Sequence, residues 1–208
     1  PDVDEIHAYH VEGWVLSDYL RSGTGSNPRT PPTELSIFNN SWTASFGNTT
    51  SDREALRRSD WSIDTHNVMM FNGIPNEGGT QMPLMSYGFN SVSVGKQNGE
   101  HVDDPVPAGY DLPGRQIPLI VASQNTTSNA TGVVSAATAL LVETQQTHPN
   151  TSGNFFATQT ETMKAVLLTG AFHAVGWSNN PSTTGPTRGI TDQPLDDVVG
   201  VGTVNVDR

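Results

Sequence analysis

The sequence predicts an α/β fold built on a mostly parallel sheet. Two observations predict it. Short apolar runs with the length of buried strands recur along the chain, and helical patterns stand between them. The composition fits a loop-rich globular domain, with 34% hydrophobic and 15% charged residues, 20 Gly and 14 Pro. At 208 residues the chain is long enough for one domain with a sizeable core and short for two, so residues 1–208 are expected to form a single domain.

The elements follow in order. "VEGWVLSDYL" (11–20) sets Val11, Trp14, Val15 and Leu20 near one helical stripe, and the Gly- and Pro-rich stretch after it ends the helix. "ELSIFNNSW" (34–42) predicts a strand with Leu35, Ile37 and Phe38 as its apolar part, running into a polar turn. "SDREALRRSDWSID" (51–64) predicts a helix starting at Ser51 or Asp52, with Glu54 and Arg58 paired at i,i+4, and "VMMF" (68–71) is a buried strand directly after it. "FNSVSVG" (89–95) and "RQIPLIVAS" (115–123), the latter interrupted by Pro118, are two more strands. The apolar run from Val133 to Val142 predicts a helix buried all round, "TETMKAVLLTGAF" (160–172) an amphipathic one, and "GTVNV" (202–206) a last short strand.

Charge and composition narrow the function. Ten Lys and Arg against 21 Asp and Glu give a formal net charge of -11, which opposes binding to nucleic acid or to anionic membrane surfaces. No apolar run is long enough to span a bilayer. The absence of cysteine excludes disulfides, thiolate metal sites and a cysteine nucleophile. Only Lys96 and Lys164 supply lysine, and the abundance of Asn, Gly, Ser and Thr points to a secreted bacterial protein. A start at Pro1 and a stop at Arg208 read as a processed product or an excerpt of a longer polypeptide.

In an α/β sheet chemistry gathers where strands end, and Asn40, Asn72, Asn76 and Ser128 fall at such ends. Ser128 stands at the amino end of the most apolar helix. There the helix dipole favours negative charge and free backbone N–H groups can bind an oxyanion. A serine in that position is more often an N-cap, so position alone favours capping.

The surroundings add more. "TTSNATGVVSAATALL" resembles the GTSxAxP serine motif of the subtilisin-like serine proteases, with Thr127, Ser128 and Ala130 matching. "HAYHVEG" is similar to that family's HGTHVAG motif through His7, His10, Val11 and Gly13. "FNNSW", "YGFNSVSVG", "GRQIPLIVAS" and "TETMKAVLLTGA" resemble further family segments in the same order, so the resemblance spans residues 7 to about 172. It implies a three-layer fold with helices on both faces and a secreted endopeptidase acting on peptide or protein substrates. By that resemblance Ser128 is the nucleophile and His7 the base that removes its proton. The oxyanion asparagine is Asn76, in "PNEGG", with Asn72 at the strand end as the alternative, and Ser41 lines the substrate cleft.

Departures accompany the match. Thr126 stands where the motif has Gly, Gly132 where it has Pro, and Ala8 and Tyr9 replace Gly-Thr of the histidine motif. The triad aspartate should precede the histidine, yet Asp2 and Asp4 lie too near His7 to occupy a preceding strand. It belongs either to an amino-terminal segment with which the chain would associate, or nowhere. Without it the rate should fall by about four orders of magnitude. Two rivals therefore stand beside the protease: an inactive domain of the same shape serving as an extracellular binding or structural module, and an unrelated α/β domain in which Ser128 caps a helix. No redox cofactor is expected. HxxH at His7 and His10 is also a zinc spacing but lacks a third ligand pattern, and "HVDDP" (101–105) is a candidate calcium loop that reads more simply as a solvated turn.

Overall fold

A computed structural model describes residues 6–32 and 37–206; Asp2, Asp4 and Leu35 lie outside the described residues. A short helix, α1 (Val11–Gly13), continues as a π-helical turn over Trp14–Asp18. Strand β1 (Ile37–Asn40) leads to α2 (Thr49–His66), β2 (Met69–Gly73), β3 (Val92–Lys96) and β4 (Ile120–Ala122). Two helices close the order, α3 (Thr127–Thr147) and α4 (Thr160–Thr169). The strands form one sheet in the order β1-β2-β3-β4, every pair parallel. The predicted α/β class with a parallel sheet is observed.

Alternation along β2 makes the layers. Met69 and Phe71 face α3 and α4, packing with Val94, Ile120, Ala130, Val134 and Met163. Val68 and Met70 face the other way, against α2 through Ala55, Leu56 and Ile63 and against Trp14, Tyr19 and Leu20. Two cores thus lie on opposite faces of one sheet, and β2, β3 and β4 are buried along their whole length. Burying a side chain such as Phe71, which has no exposed surface, contributes about 2–3 kcal/mol.

Three expectations change. The cap of α2 is Asn48, whose side chain accepts from the Ser51 N–H, so the helix starts ahead of Ser51. The Glu54–Arg58 pair does form, at 2.9 Å. Helix α3 is not buried all round: Asn129, Gly132, Ala136 and Leu140 make an exposed stripe at helical spacing. Its buried face is partly polar, and Thr131, Ser135 and Thr138 enter the core because each hydroxyl bonds the carbonyl four residues back. The segment 202–206 makes single bridges from Thr203 to Val121 and Phe172 rather than a strand.

Candidate active site

The carboxyl ends of β1 and β2 and the amino end of α3 meet around one cavity of about 530 Å³. Ser41 and Trp42 bring its first wall from β1, the Gly73–Thr80 loop brings the second from β2, and Thr127 with Ser128 forms the floor. The close approach of β2 to α3 depends on Gly73, where a Cβ would lie 3.0 Å from Thr131 Oγ1.

The first turn of α3 shows which groups are engaged. Thr126, not Ser128, is the N-cap, and its hydroxyl accepts from the Asn129 N–H. Thr127 N–H donates to Asn76 Oδ1 at 3.0 Å. The Ser128 N–H has no hydrogen-bond partner among the described residues, and Ser128 lines the cavity. Capping therefore does not explain Ser128. Half-buried, it lines the cavity with one unengaged amide at the positive end of a 21-residue helix.

Asn76 is exposed and lines the same cavity. Because its Oδ1 is taken by Thr127, its Nδ2 donors face outward with no partner among the described residues. Asn72 lies differently. It is fully buried, accepts from Asn40 Nδ2 and donates to the Met85 carbonyl, so both ends of its amide are engaged inside the fold. Of the two candidate asparagines, Asn76 is the one on the cavity.

Ser41 and Ser128 are joined twice. Ser128 Oγ donates to the Ser41 carbonyl at 2.9 Å, and Ser41 Oγ donates to the Ser128 carbonyl at 3.0 Å. The single hydroxyl proton of Ser128 is thereby directed at backbone. His7 is half-buried and lines a second cavity of about 610 Å³, between β1 and the Gly132–Ala139 stretch of α3. Trp42 borders both cavities, so the structure places His7 beside the Ser128 cavity and not among its lining residues.

His101 is structural. It is buried, its Nδ1 accepts from the Lys96 N–H and its Nε2 donates to the Val198 carbonyl, and burial holds its pKa below the ordinary histidine value. Among the described residues no three His, Asp or Glu side chains gather as metal ligands would. No helix there is long and apolar enough to cross a membrane. The sequence reading expected free backbone N–H groups at Ser128 but missed Thr126 as the cap. The run of hydroxyl residues at 126–128 signals a cap without saying which one caps.

No protein-family model matches the chain, and no curated protein matches it. Among solved structures the prenylagaramide maturation protease PagA is similar, with a TM-score of 0.47 and 20% identity over 82% of this chain. The chain spans 59% of that protein's length. The resemblance to the subtilisin-like serine proteases is corrected by these findings: no family model supports it, and a likeness this distant carries no conclusion about family or activity. What stands is the α/β fold and the geometry around Ser128.

Proposed function

We propose that the chain is a serine-dependent peptide hydrolase working through an acyl-enzyme on Ser128. The observation that supports it is the pair of donors without a partner among the described residues, Ser128 N–H and Asn76 Nδ2, whose residues line the same cavity as the Ser128 hydroxyl. A peptide carbonyl seated there would meet a nucleophile and two donors for its developing oxyanion. Ser128 Oγ, turned from the Ser41 carbonyl, attacks the carbonyl carbon. His7, from the adjoining cavity, takes the hydroxyl proton and returns it to the leaving amine. Water then attacks the ester, gives its proton to the same imidazole and releases the acid, while Ser128 regains its own proton.

A second reading is a peptide-binding module without turnover. It is favoured by the Ser128 hydroxyl being committed to Ser41 and by His7 lining the other cavity. Labelling with a fluorophosphonate, followed by peptide mapping, separates the two. The hydrolase takes label on Ser128, and Ser128→Ala takes none. A folded chain that takes no label at Ser128 fits the binding module and rules out the acyl-enzyme.

A further inference from the structure

Behind Ser128 runs a chain of hydrogen bonds with a fixed direction. Ser41 Oγ donates its only proton to the Ser128 carbonyl at 3.0 Å, so it can only accept from Asn39, whose Nδ2 lies 2.9 Å away. That sets the orientation of the Asn39 amide and leaves its Oδ1 facing Ser135 Oγ at 3.0 Å. Asn39 belongs to β1 at the edge of the sheet, is exposed, and packs in neither apolar core. Its contacts run instead through Ser41 to the backbone of the residue proposed as nucleophile.

We propose that Asn39 is a positioning residue for Ser128. By donating to Ser41 Oγ it obliges the Ser41 hydroxyl to point at the Ser128 carbonyl, which pins the first turn of α3 and keeps the Ser128 N–H on the cavity. This rests on the reading of Ser128 as nucleophile. The chemistry makes the role directional. An aspartate at position 39 has the same shape and keeps an oxygen against Ser135 Oγ, whose single proton lies between it and the Thr131 carbonyl, but it cannot donate. The Ser41 hydroxyl would then turn to the charged carboxylate, the stronger acceptor, and the Ser128 carbonyl would lose its donor.

The test is the rate of fluorophosphonate labelling at Ser128, read beside the thermal melt. Asn39→Asp is expected to lower the rate roughly tenfold with an unchanged melting midpoint. Asn39→Ala is expected to lower it less, because it offers Ser41 no competing acceptor. In a Ser41→Ala background Asn39→Asp should add nothing, since the hydroxyl through which it acts is gone. A purely electrostatic effect of the new carboxylate would persist in that background. Labelling of Asn39→Asp at the unaltered rate, or a loss that survives in Ser41→Ala, overturns the positioning role alone. An unlabelled native chain overturns the nucleophile and the positioning role together.

Discussion

The two ends of the sheet treat polar groups in opposite ways. At the amino end of β3, Asp60 of α2 accepts from the Phe89 and Asn90 N–H groups. Lys164 of α4 donates to the carbonyls of Phe89, Asn90 and Ser91, and Arg115 donates to those of Tyr87 and Gly88. Burial raises the Asp60 pKa and lowers that of Lys164, yet each charge has its partners. At the carboxyl end, around Ser128, two donors have none among the described residues. The first arrangement fixes a turn. The second leaves donors open to solvent and to a ligand, which the first does not.

Removing one donor at the open end tests the contrast most strongly. Asn76→Ala is expected to slow labelling of Ser128 by about a hundredfold, in line with the loss of one oxyanion donor, and to lower stability by only about 1 kcal/mol, because the Thr127 N–H loses its acceptor at a site open to water. Asn72→Ala should do the reverse. It leaves the Asn40 amide without its acceptor inside the fold, which costs about 1–3 kcal/mol by chemical denaturation, while the Met85 carbonyl keeps the Gly88 N–H. If Asn72→Ala slows labelling in a fully folded chain and Asn76→Ala does not, the donors are misassigned.

At the closed end the loss should appear as stability. Asp60→Ala strips the Phe89 and Asn90 N–H groups of their acceptor, takes from Lys164 its neighbouring carboxylate and leaves Arg115 with Asp111 alone. The cost should be about 1–3 kcal/mol, below that of a fully buried pair because these groups keep some contact with water. Labelling of Ser128 in the folded fraction should not change. A slowed label would mean that the two ends are coupled.

The smallest effect expected is on pH. His101 has a folded pKa below the ordinary value, so between that lowered value and about 6.5 the unfolded chain binds a proton that the folded chain does not. Its contribution is present above that window and is lost as the pH falls through it. The melting midpoint should drop by a few degrees between pH 7 and pH 5. His101→Asn, which can still accept from the Lys96 N–H, should flatten that dependence. An equally steep profile in the variant would assign the acid sensitivity to other groups.

Much of the fold was legible. The β2 run "VMMF", the apolar heart of α3 and the Glu54–Arg58 pair each depend on local pattern, and pattern survives without neighbours. The exposure of one α3 stripe was not legible, because Ala136 and Leu140 within it read as core and only the position of the sheet decides which face is covered. The site was half legible. Ser128 at a helix start was found from residue type and place; Asn76 came from the family resemblance of "PNEGG", while place alone pointed to Asn72. That Thr126 does the capping, and that Asn72 is engaged in the interior, depends on atoms far apart in the chain.

The sequence by itself determined an α/β chain without cysteine, rich in acid, with a serine at the amino end of its most apolar helix. These follow from composition and from period, which are local. Only the tertiary structure decided that Asn76 faces the Ser128 cavity, that Asn39 reaches Ser128 through Ser41, and that His7 lines the cavity beyond Trp42. Those are matters of direction and distance between elements, and they are set by how two cores pack on one sheet, which no local pattern encodes.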